Sequence, residues 1–447
     1  MKTVRFSTDI PVRYSADVCV IGAGPAGVSA AVSAARQGAK VLLFDAHTMP
    51  GGMSTAGRVP TLMTYSDGVH FLPEGFGRDV FERMQSMAEA LDFSWQNTTP
   101  WGFRASLNSW HVQNIYEELL TAAGVEVLYS CRLTAAITED DRIRQVLFVS
   151  PGGLFAAEAG VFVDATGDGT LAAWSDVPFE LAPPDELMPP TLCSIWTGVD
   201  WETYHKAKVF SHDTDAMLEL LDKAFESGEI TEMDYHHTGM FRLSNYLVGA
   251  NITHAYGVDP SDELSLSRAL IRNRRNVAQY ENFYRKHIKG FEKAEIIDCG
   301  SLLGVRESRR IRCDYMLTFT DYKNCQDFED GIGRYNYPAD LHPAKPDRQS
   351  LEEHKKLMRT SALPKGKSYG IPYRSLLPVG KDNLLMAGRC IGCDRLMHSS
   401  VRTIPGCWIT GQSAGIAAAL AVKNGCSCRS IDIKELQNRL QELHVLL

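Results

Sequence analysis

Long apolar runs are missing from this sequence of 447 residues. No stretch of about 18 residues is apolar throughout, so we expect no membrane-spanning helix. The first residues, MKTVRFSTDIPVRYSADV, lack the apolar core that a signal peptide needs, and we therefore expect a cytoplasmic protein. A basic excess is missing too: the net charge of −8 argues against binding to nucleic acid or to a membrane surface.

Several catalytic and metal-binding motifs are also absent. The chain contains no H-E-x-x-H, no P-loop, no G-x-S-x-G and no repeat of solenoid length. Its 11 cysteines are an odd number without framework spacing, which is typical of reduced thiols. Cys390 and Cys393 form a C-x-x-C pair, for which a redox dithiol and a buried structural pair both stay open. The spacing fits no common iron–sulfur pattern, and we predict no metal site.

The strongest positive signal is the segment 17–45, DVCVIGAGPAGVSAAVSAARQGAKVLLFD. A short apolar strand runs into G-x-G-x-x-G, a helix of small residues follows, and a second apolar strand ends on Asp45. Gly22 allows the tight turn, Gly24 lets the backbone approach a pyrophosphate, and Gly27 lets helix and strand pack closely. The helix N-terminus offers N–H groups and a partial positive charge to the phosphates. Asp45 lies 18 residues after Gly27, where an acid accepts hydrogen bonds from an adenosine ribose. The segment predicts a site for NAD or FAD.

Later features favour FAD. Gly51 and Gly52 follow the ribose-binding acid closely, which indicates that the chain continues along an extended cofactor. The apolar segment 160–164 ends in ATGDG, a turn that can bring backbone N–H groups against a phosphate. Helix 406–425 is rich in Gly and Ala, which implies close packing against another element or a cofactor. Because no second G-x-G-x-x-G follows, we expect electrons from the substrate or another partner rather than from a dedicated NAD(P)H domain.

Other elements are predicted from hydrophobic pattern alone. We expect helices at residues 77–91, 114–123, 216–228 and 265–287, and strands at residues 123–131, 133–138, 145–150, 154–158, 160–164 and 382–388. The arginines of helix 265–287 most simply form a solvated face. Segment 304–318, GVRESRRIRCDYMLT, carries four arginines that beside a flavin would clamp a carboxylate. An ion-pair cluster with Glu307 and Asp314 explains them equally well.

In their order along the chain, five segments resemble the FAD-dependent oxidoreductases with a glutathione-reductase-type FAD fold. They are more distantly similar to fumarate reductase and succinate dehydrogenase flavoproteins. The segments are DVCVIGAGPAGVSAA, PGGMSTAG, VFVDATGDG, GVRESRRIRCDYMLT, and the run from IPYRSLLP through NLLMAGRC to VRTIPGCWITGQSAGIAAAL. The resemblance implies an α/β fold with a Rossmann-like FAD-binding domain and an inserted α+β substrate domain. The FAD-binding domain would be discontinuous, at 1–58, 112–173 and 366–447, and residues 59–111 and 174–365 would form the substrate or cap domain.

The resemblance also implies which residues bind FAD. The ADP half would be held by Gly22, Gly24, Pro25, Ala26, Gly27, Asp45 and Ala46. The path of the phosphates, ribityl chain and adenine would be lined by Gly51, Gly52, Met53, Thr55, Leu133, Ala165, Thr166, Gly167 and Asp168. The flavin side would be formed by Gly388, Arg389, Arg402, Gly411 and Gln412.

The predicted function is that of an FAD-dependent oxidoreductase, a dehydrogenase or reductase that moves a hydride between a small organic substrate and flavin N5. A nearby side chain would handle a proton, and the candidates for substrate binding or proton transfer are His398, Arg402, Arg306 and Arg309. Three alternatives stay open: an FAD monooxygenase, a flavin–dithiol enzyme using Cys390 and Cys393, and a non-catalytic FAD-binding protein. Covalent flavin attachment through His47 or a cysteine, the electron donor or acceptor, and a homo-oligomer are also left open.

Overall fold

The computed structural model describes residues 2–5, 7–87, 105–207, 215–235 and 239–447. The strands are β1 (Val12–Ile21), β2 (Val41–Phe44), β3 (Thr61–Leu62), β4 (Ala105–Ser106), β5 (Glu126–Leu128), β6 (Arg132–Glu139), β7 (Arg142–Ser150), β8 (Gly153–Asp164), β9 (Phe179–Glu180), β10 (Ser194–Thr197), β11 (Met240–Arg242), β12 (Val248–Ala250), β13 (Glu295–Cys299), β14 (Arg310–Ile311), β15 (Gly331–Tyr335), β16 (Tyr369–Pro372) and β17 (Leu384–Met386). The helices are α1 (Pro25–Arg36), α2 (Phe76–Met87), α3 (Ser109–Ala122), α4 (Thr170–Trp174), α5 (Trp201–Lys206), α6 (Asp215–Glu226), α7 (Glu263–His287), α8 (Phe319–Lys323), α9 (Arg348–Ser361), α10 (Arg395–Val401), α11 (Ile404–Asn424) and α12 (Ile433–Glu442).

The main sheet has the strand order β5-β2-β1-β8-β7-β6, with β17 also paired to β8. Strands β5, β2, β1, β8 and β17 run parallel, and β7 and β6 continue the sheet as an antiparallel meander. Every residue of β2 is buried. Because successive side chains of a strand point to opposite faces, both faces of the sheet are covered there. This is the α/β arrangement with a parallel sheet that a Rossmann-like domain requires.

Three predicted strands differ from the structure. Segments 154–158 and 160–164 form the single strand β8, because β8 pairs along its whole length with β1 or β7 and its last residues also pair with β17. The strand predicted at residues 123–131 is reduced to β5, since Ala123 caps α3 and Gly124 turns the chain. The helix predicted at 77–91 is observed as α2, and residues 88–91 lie outside the described residues.

A second, antiparallel sheet has the order β11-β12-β10-β13. It shares an apolar core with α6 and α7, in which Trp196, Tyr280 and Phe283 are almost fully buried. The outer face of α7 carries Arg268, Arg274 and Arg275 as exposed residues, so the predicted solvated face is confirmed for them. Within the described part of the chain, no helix is long and apolar enough to cross a membrane.

Helices α1 and α11 pack with their backbones in contact. A Cβ atom on Gly411 would overlap the carbonyl oxygen of Ala26, and one on Gly415 would overlap the carbonyl oxygen of Ala30. Small residues at these positions therefore serve helix–helix packing. The helix predicted at 406–425 is observed as α11, which ends at Asn424 and has Gly425, with φ +60°, as its C-cap.

This contact predicts that Gly415→Val lowers stability. Two methyl groups at the α1–α11 contact can be accommodated only if the helices move apart, and overpacking of this kind costs about 1–3 kcal/mol. Urea unfolding followed by circular dichroism should show a lower midpoint. Gly152→Val is the control, because a Cβ there meets only side-chain atoms, the guanidinium tip of Arg13 at 3.2 Å and the Ser150 hydroxyl at 3.7 Å. Equal urea midpoints for the two variants would contradict the claim that the α1–α11 contact leaves no room for a side chain at position 415.

Candidate active site

One cavity of about 1500 Å³ opens at the carboxyl ends of the parallel strands and continues to the second sheet. Ile21, Phe44, Ala165 and Ala387, at or just after the ends of four of these strands, line its first part. Open α/β sheets bind their ligands at this edge. The position of the cavity is therefore that of a nucleotide cofactor site.

The turn between β1 and α1 is open towards the cavity. Gly22 has φ +96°, and a Cβ on it would lie 2.6 Å from the carbonyl oxygen of Ala165, so only glycine fits. A Cβ on Gly24 would meet no heavy atom nearer than 4.0 Å. Gly24 is also the N-cap of α1 and provides no side-chain cap, which leaves N–H groups of the first turn for a ligand. This cradle fits a pyrophosphate.

Asp45 is held in place at the end of β2. Its Oδ2 accepts a hydrogen bond from the Ala23 N–H at 2.6 Å, and its Oδ1 accepts one from the His47 N–H at 2.7 Å. Each carboxylate oxygen has a further lone pair. Since Asp45 lines the cavity, its remaining lone pairs can accept from ribose hydroxyls.

The ATGDG turn is fastened from both sides. Buried Asp164 accepts hydrogen bonds from the Thr166 hydroxyl at 2.7 Å and the Ala172 N–H at 2.9 Å, although burial still raises its pKa. From the other side, Arg389 donates to the Gly167 carbonyl at 2.8 Å and pairs with Asp168 at 2.6 Å. The turn is thus held against the phosphate end of the cavity without a ligand.

Most of the predicted FAD residues line this cavity. They are Gly22, Gly24, Pro25, Ala26, Asp45, Ala46, Gly52, Met53, Leu133, Ala165, Thr166, Gly167, Asp168, Gly388, Arg389 and Arg402. His47 and Cys131 lie at the same end as Asp45 and Leu133, the end that suits the adenosine half.

The other five predicted FAD residues contact the segments that surround the cavity. Gly27 packs directly under the carbonyl of Gly22, and Gly411 packs on the backbone of Ala26. Gly51 donates its N–H to the Ala23 carbonyl at 2.6 Å. The Thr55 hydroxyl donates to the Pro50 carbonyl at 2.5 Å, and the Gln412 Oε1 accepts from the Phe76 N–H at 2.7 Å. These residues shape the loops around the cavity and do not line it.

The four catalytic candidates divide into two pairs. Arg306 and Arg402 line the cavity, whereas His398 and Arg309 do not. His398 is fully buried on the inner face of α10, where burial and the charge of Arg402 hold its pKa well below the usual range. Arg309 donates to the Asp168 carbonyl at 3.2 Å and lies over the Phe179 ring. The positions of His398 and Arg309 thus provide no contact with a substrate.

The arginines of segment 304–318 have different surroundings: Arg306 lines the cavity, and Arg310 belongs to an ion-pair cluster. Arg306 is buried and donates to the Pro189 carbonyl and the Thr191 hydroxyl, each at 2.6 Å. Burial and the neighbouring Arg402 lower the pKa of Arg306 to about 10, so it remains a cation at neutral pH. Farther along, Arg310 forms the structural ion pair with buried Glu307 at 2.9 Å.

Sequence reasoning missed a polar cluster at the far end of the cavity. Its members are Asp234, His254, Tyr337, Asp340, His342 and His354, all of which are buried or nearly so. His354 Nε2 lies 2.9 Å and His342 Nε2 lies 3.3 Å from Asp340 Oδ1. Burial alone would raise the pKa of Asp340, but charge and hydrogen bonds from the two histidines hold it well below the usual range. The D-x-H pair in YPADLHP, followed by a histidine in α9, was the available sequence signal.

Cys390 and Cys393 are free thiols that are fully buried and do not line the cavity. Burial raises the pKa of both thiols well above the usual range. A thiolate nucleophile is therefore disfavoured at both positions. The geometry supports the structural interpretation of this pair.

A family model described as "FAD dependent oxidoreductase" matches residues 17–440. The chain belongs to this family. It is an FAD-dependent oxidoreductase, and its cavity has the cradle, the ribose-side acid and the phosphate-side turn that FAD requires.

Curated proteins match shorter segments, an opine oxidase subunit and a ferredoxin–NADP reductase among them. An opine oxidase subunit of Agrobacterium tumefaciens (strain Ach5) is 46% identical over 52 residues, which are 12% of this chain and 10% of that protein. Ferredoxin–NADP reductase of Saccharopolyspora erythraea is 39% identical over 82 residues, 18% of this chain and 24% of that protein. The chain thus aligns with a quarter or less of either relative.

Solved structures match nearly the whole chain at low similarity. A p-nitrophenol 4-monooxygenase from Pseudomonas putida has 12% identity and a TM-score of 0.44, with 96% of this chain and 84% of that chain covered. A geranylgeranyl bacteriochlorophyll reductase-like protein from Thermoplasma acidophilum has 12% identity and a TM-score of 0.41, with 96% and 83% covered. Likenesses at this level say nothing about the reaction.

The geometry of Asp45 predicts that Asp45→Ala weakens FAD binding. Hydrogen bonds to a charged group contribute about 1.5–3 kcal/mol, so the dissociation constant should rise about tenfold or more. This dissociation constant is measured by titrating the deflavinated protein with FAD and following flavin fluorescence. Asp17→Ala is the matched control, because Asp17 accepts from the Lys40 N–H at the opposite end of the same sheet. An unchanged constant for Asp45→Ala would contradict the assignment.

The buried positions of Cys390 and Cys393 predict that the pair does not cycle between dithiol and disulfide in exchange with the flavin. Anaerobic titration with dithionite should consume one two-electron equivalent per FAD, the capacity of the flavin alone. The double variant Cys390→Ser/Cys393→Ser should titrate identically. A second equivalent in the wild-type protein that disappears in the variant would instead establish a redox-active dithiol.

Proposed function

We propose that the protein transfers a hydride between a small organic carboxylate and FAD. FAD, when bound, supplies the two-electron acceptor or donor at N5. The observation that carries the proposal is the pair of arginines, Arg306 and Arg402, which line the same cavity as the predicted FAD-binding loops. Guanidinium groups with little exposure bind carboxylates strongly through charge-assisted, often bidentate hydrogen bonds.

In this proposal the two arginines bind and orient the substrate. Arg306 is fixed by three hydrogen bonds through its guanidinium, to Pro189, Thr191 and Asn251. Arg402 approaches Asp340, with 3.6 Å between its Nη2 and the Asp340 Oδ2. Because their surroundings hold both side chains, they lose little freedom when a carboxylate binds.

We also propose the finer architecture. The FAD-binding domain would be of the glutathione-reductase type, made of residues 1–58, 112–173 and 366–447. Residues 59–111 and 174–365 would form the substrate domain, and the second sheet within 174–365 supports this division. A cytoplasmic location remains a prediction, and an external electron partner is part of the proposal.

The test is anaerobic reduction of the flavin by a panel of small hydroxy- and aminocarboxylates together with their neutral amides. We expect a carboxylate to bleach the flavin absorbance and its amide to fail. Arg306→Lys should raise the substrate concentration for half-maximal bleaching about tenfold or more, because a lysine cannot replace the fork of donors. Arg312→Lys is the control, since Arg312 is half exposed and pairs with Glu180 at 2.9 Å.

Two outcomes would overturn the proposal. Equal bleaching by the acids and their amides would show that the two arginines do not bind a substrate carboxylate. A flavin hydroperoxide spectrum, on stopped-flow mixing of the reduced enzyme with oxygen, would favour the monooxygenase alternative.

A further inference from the structure

Three potential metal ligands converge at the far end of the cavity. Asp340, His342 and His354 each offer one ligand atom, and these atoms all lie within 4.8 Å of one another. Asp340 and His342 come from the segment between β15 and α9, and His354 lies on the buried face of α9 beside Leu351. All three residues line the same cavity as the FAD-binding loops.

A chain of hydrogen bonds fixes the orientation of His342. The Oδ2 of Asp234 accepts from the backbone N–H of His254 and faces its ring Nδ1, both at 2.9 Å. The Nε2 of His254 lies 3.2 Å from the Nδ1 of His342. The Nε2 of His342 then faces the Oδ1 of Asp340 at 3.3 Å.

The contacts bring three potential ligand atoms around one point. His354 Nε2 lies 2.9 Å and His342 Nε2 lies 3.3 Å from Asp340 Oδ1. Two imidazole nitrogens and one carboxylate oxygen therefore face one another, and an ion placed between them would be within reach of all three.

We propose that Asp340, His342 and His354 bind a divalent transition-metal ion, in a place where the sequence predicted none. Two histidines and one carboxylate form a donor set that suits Zn²⁺, Fe²⁺ and Mn²⁺. One metal ion would coordinate both rings and the Asp340 Oδ1 together. The cavity in front of the three ligands leaves positions for water or substrate.

The outer groups that orient metal ligands are also present. His342 has its second ring nitrogen engaged by the His254–Asp234 pair, as ligating histidines usually do. The second oxygen of Asp340 accepts from the Tyr337 hydroxyl at 3.1 Å, which directs Oδ1 towards the histidines. The nearby guanidiniums of Arg306 and Arg402 oppose a further cation, so the metal should bind more tightly when an anion occupies the cavity.

The metal site would refine the proposed function. A divalent ion next to the arginines would bind the hydroxyl oxygen of a hydroxycarboxylate and make that hydroxyl more acidic. Hydroxycarboxylates would then be favoured over aminocarboxylates. Only this last step rests on the proposed function, because the metal site itself follows from the geometry of the ligands.

The experiment uses the full-length, FAD-loaded protein, freed of metal by a chelator. Equilibrium dialysis against Zn²⁺ and Co²⁺ with elemental analysis should show one bound metal ion per protein. This binding should be lost when the proposed ligand residues are replaced. Bound Co²⁺ should give weak bands at wavelengths longer than the flavin absorbance, without a thiolate charge-transfer band. His342→Gln and His354→Gln should each weaken binding at least about tenfold, and His254→Gln should weaken it about 10–100-fold through the outer shell.

His287→Gln is the matched control. His287 is a partly buried histidine of α7 that pairs with Glu229 at 3.0 Å and does not line the cavity. Its Co²⁺ affinity should equal that of the wild type. Flavin absorbance and circular dichroism establish that each variant is folded.

Wild-type protein without stoichiometric metal, or with a metal bound through thiolates, would overturn the site whatever the variants do. Binding that survives both His342→Gln and His354→Gln would overturn it too. A protein that binds the metal but oxidises no carboxylate would refute the proposed function and leave the site standing. If the metal-free protein oxidises a carboxylate as fast as the metal-loaded protein, only the proposed role of the metal in that reaction is refuted. The metal site and the proposed function would then both stand.

Discussion

The direct contact of backbone with backbone around the β1–α1 turn is the constraint on which the rest of the structure depends. Gly27 packs under the carbonyl of Gly22, and the turn itself lies against Ala165. On the other side of α1, Gly411 and Gly415 allow α11 to pack directly against backbone carbonyl groups of α1. Close packing of this kind resists small displacements, because any shift produces overlap or an empty space. The phosphate cradle thereby has a fixed floor made from three distant parts of the chain.

The substrate end is organised by charge instead. Arg306, Arg402, Asp234 and Asp340 come from four separate segments and are largely buried. Buried charges are tolerated only when partners surround them, and here hydrogen bonds to carbonyls, hydroxyls and imidazoles provide those partners. Arg402 in particular has a carboxylate close by, with 3.6 Å between its Nη2 and the Asp340 Oδ2.

The sequence was most informative where the determinants are local. The strand, three glycines and acid of segment 17–45 are contiguous, and the parallel sheet and cavity follow from them. For Gly411 and Gln412 a small-residue helix was compatible with a cofactor or with another helix, and only the tertiary contact with α1 and α2 distinguishes the two. His398 was placed by its distance along the chain from flavin-side motifs, which does not reveal the direction of its side chain on α10. The Asp–His cluster joins residues up to 120 positions apart, from Asp234 to His354, so no periodic pattern could indicate it.

Arg389 links the two ends of the site mechanically. Its guanidinium holds the Gly167 carbonyl and Asp168 on the phosphate side, and also donates to the carbonyl of Val305, the residue before Arg306. Ser308 and Arg309, from the same segment as Arg306, also contact this turn, at the Gly167 carbonyl (3.4 Å) and the Asp168 carbonyl (3.2 Å). Three side chains therefore tie the ATGDG turn to the segment that carries Arg306, so these two parts of the cavity wall are not free to shift independently. Any effect of a ligand at one end on affinity at the other would act equally in both directions.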